Sequence, residues 1–238
     1  YNVAELKRNA EVKIIMNDGG NNNKPTGLNV AYESFDPLTG VFDQDTFFKI
    51  ARMLIDGNSD GYYVFSFLNI DNFKIINDRF GIGVGDAVLK YVASVIKDFA
   101  DAAGGICGRL FADNFALLYP HNCVESKEMN DAHERIHHPD VLSQPIRLRT
   151  GRYFVENKDD SVMTMFDRAR IAANFVRNSY DKEISVFDKD MLDYLIRRQL
   201  IVEDMNTALA SGEFKLFFQP QYNHATGAIM GAEVLCVG

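Results

Sequence analysis

Arg109-Leu110-Phe111-Ala112-Asp113-Asn114-Phe115 decides the fold. Apolar residues run into it from Ile106 to Leu110 and out of it from Phe115 to Tyr119, leaving only Phe111 to Asn114 between two short strands. Strands joined so tightly must be antiparallel, a hairpin. Upstream, Val88, Tyr91, Val92, Val95 and Phe99 recur at helical spacing after the run Gly81-Ile82-Gly83-Val84-Gly85. A short helix is predicted over Asp71 to Phe80. Tyr62 to Ile70 is too continuously apolar for an edge facing water and reads as a buried strand. Before it, Asp43 can cap a helix with the apolar face Phe47, Ile50, Ala51 and Leu54, and Asp36-Pro37-Leu38-Thr39-Gly40 is a turn. Downstream come a polar helix near Val124 to Ile136, a strand near Pro145 to Val155, a helix near Ser161 to Val176 and a strand from Glu183 to Phe187. The sum is an α+β or mixed-sheet α/β sandwich, a five-stranded mixed sheet flanked by helices.

Composition bounds what such a fold does. The chain has 238 residues, 47% hydrophobic and 24% charged, with a net charge of −8. It can bury a real core and is not disordered. The acidic balance argues against nucleic acid as a partner. No apolar run approaches the ~20 residues of a membrane span. Three scattered cysteines, Cys107, Cys123 and Cys236, form neither a disulfide framework nor a metal spacing, which fits a reducing cytoplasm. The start at Tyr1 lacks the layout of a signal peptide and an initiator methionine, and suggests a segment of something longer.

Residues 1–30 read as a linker or the end of an upstream region, with a mixed-charge stretch and then the turn-rich run Asn17 to Pro25. Residues 31–188 form the main domain. Beyond Asp188, Met191, Leu192, Leu195, Ile196, Leu200, Met205 and Leu209 line one face of a long helix stopped at Ser211-Gly212. Two strands, Phe214 to Gln219 and Ile229 to Leu235, follow around the turn Asn223 to Gly227. Residues 189–238 have little core of their own and read as the beginning of a second domain.

Three local signals fail. Asp56-Gly57-Asn58-Ser59-Asp60-Gly61 imitates a calcium loop, but its closing position holds Phe67 instead of Glu. The glycines at 81, 83 and 85 follow a helix where a dinucleotide loop would follow a strand. His137-His138 lacks Cys or carboxylate partners at ligand spacing.

Four segments in register carry more. Asp36 to Gly40, Asn69-Ile70-Asp71-Asn72-Phe73-Lys74-Ile75-Ile76-Asn77-Asp78, Gly85-Asp86 and Arg109 to Phe115 together resemble the diguanylate cyclase family, named GGDEF after its hairpin signature. The resemblance covers about Ala31 to Asp188. It implies the palm-like sheet of nucleotide cyclases, condensation of two GTP into cyclic di-GMP, and a homodimer in which each half holds one GTP. Attack of a ribose 3′-hydroxyl on an α-phosphate builds charge on phosphate oxygens, which Mg²⁺ held by carboxylates must neutralise.

Against that family pattern the chain departs. The first-strand metal Asp falls on Asn69, the signature glycines on Phe111 and Ala112, the third position keeps an acid in Asp113, the fourth is Asn114, and Phe115 closes the signature. The phosphate-gripping Lys falls on Asn174, with Arg177 near but out of alignment. The product-inhibition Arg and Asp fall on Ala102 and Gly105. One Mg²⁺ at Asp113 is the most the site offers, with Asn69 in place of the usual Asp. Guanine-reading positions match Asn77 and Asp86, whose amide and carboxylate suit guanine's edge. The rival reading makes Asp86 the cap of a helix from Ala87 to Phe99 and Asn77 the end of the one before. Lys74 matches a Phe-Lys pair that can meet a phosphate. Asp36 and Arg109 are expected to pair between the first turn and the hairpin.

The tail has a second resemblance. Phe217-Phe218-Gln219-Pro220 and Gly231-Ala232-Glu233-Val234-Leu235 look like the opening of the EAL family of cyclic di-GMP phosphodiesterases, a (β/α)₈ barrel. Glu233 would match its metal Glu and Gln219 a ligand-contacting Gln; Val234 replaces Ala, and Val237 stands where an Arg is expected. A barrel needs ~250 residues, so this tail holds only its start. The expectation is a GGDEF domain that has lost cyclase chemistry and acts as a GTP-binding or regulatory module for an EAL domain in the same parent chain. The alternatives are a weakly active diguanylate cyclase and an interaction scaffold without nucleotide.

Overall fold

The computed structural model describes residues 34–57, 62–137, 142, 145–176 and 183–237. The reading of residues 1–30 lies outside the described residues. The chain divides into two compact units, Tyr1–Asp188 and Lys189–Gly238.

In the first unit, helix α1 (Gln44–Gly57) leads to strand β1 (Tyr63–Ile70), then helices α2 (Phe73–Phe80) and α3 (Ile82–Ala103). The hairpin β2 (Ile106–Phe111) and β3 (Asn114–Pro120) follows, then a 3₁₀ turn His121–Cys123, helix α4 (Lys127–His137), strand β4 (Leu148–Phe154), helix α5 (Val162–Val176) and the short strand β5 (Ile184–Val186). The sheet order is β2-β3-β1-β4-β5. All neighbours are antiparallel except β4 and β5, which run parallel. The expected five-stranded mixed sheet flanked by helices is therefore present.

Strand β1 lies at the centre, and seven of its eight positions are buried. Its alternate residues feed two cores. Val64 and Leu68 join Phe115, Leu117 and Tyr119 of β3 under Val88, Val92, Val95 and Phe99 of α3 and Ile136 of α4. Phe65 and Phe67 join Phe47 of α1 and Met165, Phe166 and Ala169 of α5 on the other face. Phe47 and Phe65 meet edge to face at 5.7 Å, and Phe67 meets Phe166 at 5.6 Å. Such pairs contribute about 0.5–1.5 kcal/mol beyond their buried area. Asp43 caps its helix as expected, with Thr46 N–H donating to Asp43 Oδ1 (2.9 Å), and two further hydroxyl caps are present, Met129 N–H donating to Ser126 Oγ (3.2 Å) and Thr164 N–H to Ser161 Oγ (3.0 Å).

Two of the boundaries that differ from the sequence reading bear on the site. Helix α2 starts at Phe73, because Asn72 takes a left-handed φ of 56° and Asp71 N–H donates to Arg147 O, making Asp71-Asn72 a turn. Helix α3 starts at Ile82, so Gly83 and Gly85 lie inside its first turns; Gly81, at φ 88°, is the break that separates it from α2. In the second unit, helix α6 (Lys189–Ala210) ends at Gly212 in the left-handed region, as expected. Strands β6 (Lys215–Tyr222) and β7 (Ile229–Val237) form an antiparallel pair around Asn223, which receives N–H bonds from Ala225 and Thr226 at its side chain. No residue of these three elements is buried.

Gly151 is where β4 touches α5 most closely. A Cβ there would stand 1.9 Å from Ala169 O and 2.3 Å from Ala173 N. Gly151→Ala is expected to lose about 3 kcal/mol of stability in urea unfolding, since helix backbone cannot give way as a side chain can. Gly83→Ala, which meets nothing within 4 Å, should unfold at an unchanged or slightly higher denaturant concentration.

Candidate functional site

The first turn and the hairpin tip are tied together by one arginine. Thr39 donates from N and Oγ1 to Asp36 Oδ1 at 2.8 and 2.6 Å, and Gly40, at φ 72°, closes the loop with its N–H on Asp36 O. Arg109 Nη1 reaches Asp36 Oδ1 at 3.1 Å, the expected pair, while its Nε and Nη2 donate to Ala112 O at 2.8 and 2.7 Å. One guanidinium thus clamps a carboxylate on one side and the tip carbonyl on the other. Burial alone would raise the Asp36 carboxyl; the bonds from Thr39 and Arg109 outweigh it and hold the group below the usual carboxylate range.

The tip itself is the two-residue turn Ala112-Asp113, closed by the pair Phe111 and Asn114. Ala112 has φ 50°, a conformation that glycine takes freely and that costs an L side chain about 1–2 kcal/mol. Phe111 points outward, half exposed.

Beneath the tip lies Asn69, opposite Asn114 on β3 and Arg149 on β4. Asn69 Nδ2 donates to Asp113 Oδ2 at 2.7 Å and to Asn114 Oδ1 at 3.0 Å. Asn114 Nδ2 in turn donates to Phe111 O at 3.1 Å. Both protons of the Asn69 amide are therefore spent on oxygens of the hairpin. Arg149 Nε lies 3.1 Å from Asp71 Oδ1. Burial pushes the Asp113 carboxyl above its ordinary range, against the Asn69 bond and the charges of Arg149 and Arg109. Arg149 is absent from the sequence-derived site, because only the β1–β4 register places it beside Asn69. Among the described residues no three His, Cys, Asp or Glu side chains converge as a metal site.

The capping reading of Asp86 is corrected: α3 begins at Ile82 behind Gly81, so Asp86 sits in its second turn and caps nothing. Asn77 lies inside α2 and does not end it; its carbonyl takes the Gly81 N–H, while its Oδ1 is buried with no hydrogen-bond partner in the described structure. That oxygen rests on Gly85, where a Cβ would come within 1.8 Å, and Phe73 packs beside it. The fold thus brings Asn77 against the residue preceding Asp86. Lys74 is exposed on α2 and Asn174 on α5, while Arg177 lies outside the described residues. Ala102 ends its side chain in solvent, and Gly105 is hemmed by Leu118 O and Tyr119.

The remaining signals lead elsewhere. Asp56 ends α1 in an ion pair with Arg52, with 58–61 outside the described residues. Of the glycine run, Gly83 and Gly85 are helical and Gly81 is the break before them, and His138 lies outside the described residues. In the second unit Gln219 and Glu233 stand directly opposite each other on β6 and β7, both exposed.

The two aspartates titrate in opposite senses. The folded Asp36 carboxyl lies below its unfolded value of about 3.9, so its stabilisation is full above that pH and lost as pH falls through the folded value. The folded Asp113 carboxyl lies above it, so its cost is full at neutral pH and fades as pH falls toward about 4. Asp36→Asn should lose about 1–2 kcal/mol at pH 7 and flatten the acid limb of a pH–stability curve. Asp113→Asn should gain stability at pH 7, with the gain shrinking on acidification.

Comparison with known proteins bears on the family and the fold. The family described as "Diguanylate cyclase, GGDEF domain" matches residues 33–179. The biofilm architecture maintenance protein MbaA of Vibrio cholerae is 25% identical over 218 residues, 84% of this chain and 27% of that protein. The chain spans between 21% and 31% of the length of the first curated relatives it matches. In fold it is similar to the GGDEF domain of TpbB (YfiN) from Pseudomonas aeruginosa, with TM-score 0.58, 22% identity, and 68% and 99% of the two chains covered. It is similar as well to the S helix–GGDEF–EAL part of Vibrio cholerae LapD, solved bound to c-di-GMP, with TM-score 0.55, 13% identity, and 98% and 51% covered. A family match over more than half of the chain, on a sheet and hairpin of this order, shows that the chain belongs to the GGDEF family.

Proposed function

We propose that this GGDEF domain serves c-di-GMP signalling as a guanine-nucleotide-binding regulatory module whose cyclase chemistry is lost. One observation carries the reading: the Asn69 amide bridges Asp113 and Asn114, where a metal-dependent site needs carboxylates free to face a cation. Mg²⁺ takes hard oxygen ligands in near-octahedral array. Here the oxygens beside Asn69 already accept amide protons, Asp71 is held by Arg149, and Asp113 is the one carboxylate left. The donor set does not fit Mg²⁺, and no step through the metal is derived for this chain. Phe111 adds an aromatic ring where the family has bare backbone.

Guanine binding is supported by a different observation. Asn77 Oδ1 is buried, unpartnered and seated on Gly85, and Asp86 has no capping task. A buried polar atom without a partner costs about 1–3 kcal/mol, and a guanine edge between the amide and the carboxylate offers the missing bonds. Lys74, exposed on the same helix, is the residue this reading assigns to a phosphate. A module relieved of the two-GTP reaction is not held to a homodimer.

The second unit is read as the start of an EAL domain. This is supported by the Phe217 to Pro220 and Gly231 to Leu235 motifs, by Gln219 opposite Glu233, and by a fold likeness to a GGDEF–EAL protein that spans both units. A two-stranded hairpin with no buried residue needs further partners to be stable. A nucleotide biases such a neighbour only by binding one arrangement of the domains more tightly.

Calorimetric titration with GTP is expected to show binding that persists without Mg²⁺ and weakens about tenfold or more in Asp86→Ala. Incubation of the wild-type chain with GTP and Mg²⁺ should yield no c-di-GMP. Product formation would return the weakly active cyclase, and absence of any GTP heat would favour a scaffold.

A further inference from the structure

A cavity of about 60 Å³ lies in the first unit between the sheet and helices α3 and α4. None of Asn69, Asn77, Asp86 or the hairpin tip lines it. Its walls are mostly apolar, with Leu68, Ile96, Phe99, Leu117, Ile136 and Leu148 among them. Ser66 of β1, Tyr119 of β3, and Thr150 and Arg152 of β4 bring polar groups to it from three adjoining strands.

Arg152 is the anomaly. It is 9% exposed, its Nε is buried without a hydrogen-bond partner, and it has no ion pair among the described residues. It stands opposite Ser66 in the β1–β4 register, and Ser66 Oγ and Tyr119 Oη are 3.2 Å apart. Glu183 also lines the cavity without forming an ion pair with Arg152; its Oε1 takes Arg147 Nε at 3.1 Å, and its Oε2 meets His133 Nε2 at 3.1 Å. Buried charges are ordinarily paired, and a guanidinium cannot escape by losing its proton.

We propose that this cavity is a binding site for a short-chain monocarboxylate. Its carboxylate sits on the Arg152 guanidinium within reach of the Ser66, Tyr119 and Thr150 hydroxyls, and its alkyl chain lies against Leu68, Ile96 and Leu148. A guanidinium fork matches a carboxylate's two oxygens. The volume decides the size class, since about 150 Å³ admits benzene and nucleotide-sized sites run from about 300 Å³. A bare inorganic anion would satisfy Arg152 and leave the apolar walls without a partner.

The test is calorimetry and thermal unfolding of the whole chain with sodium acetate, propionate and butyrate against sodium chloride at equal ionic strength. The expected result is saturable heat and a raised melting temperature with a carboxylate over chloride. Arg152→Met should fold, because it removes an unpaired buried charge, and should weaken binding about tenfold or more. Arg152→Lys, which keeps the charge and loses the fork, and Tyr119→Phe should each weaken it several-fold. A response to chloride equal to that of the carboxylates, no response to either, or undiminished binding in Arg152→Met or Arg152→Lys would overturn the proposal.

Discussion

The structure depends on β1 being buried on both faces. Val64 and Leu68 face one core, and Phe65 and Phe67 the other, so neither layer of helices can be removed without exposing the central strand. A strand of this kind tolerates no one-residue slip, because every side chain would change core. That fixed register places Asn69, at the end of the strand, against Asn114 on one side and Arg149 on the other. The hydrophobic pattern at the centre thus sets the polar geometry at the rim.

Much of this was legible in the residues. Continuous apolarity marked β1, the spacing of Val88 to Phe99 marked α3, and the short gap at Phe111 to Asn114 marked the hairpin. The Asp36–Arg109 pair followed from the position of the two segments, and the positive φ at Ala112 fits a place where the family carries glycine. What was not legible came from contacts distant in sequence. Nothing local says that Gly81 breaks two helices and leaves Asp86 inside the second, so a capping role looked as good as any other. Arg149 and Arg152 alternate along one strand, and only the packed sheet shows that one flanks Asn69 while the other enters a core.

At the rim, a single amide does the electrostatic work of a cation on a smaller scale. Asn69 offers two protons to two acceptors, and each bond is worth about a quarter of what it would be without competing water. The arrangement ties the hairpin to β1, and Arg109 holds the tip from the other side.

The margins of the sheet have a consequence of their own. On one side, Phe42 O takes the Arg109 N–H and so covers part of β2 with the chain's own backbone. On the other, β5 is only three residues long, with Ile184 and Val186 partly in water. A foreign strand seeking unsatisfied amides finds one flank partly masked and the other too brief to template a ladder. The domain is thereby guarded against edge-to-edge aggregation, although its central strand is as hydrophobic as those that drive it.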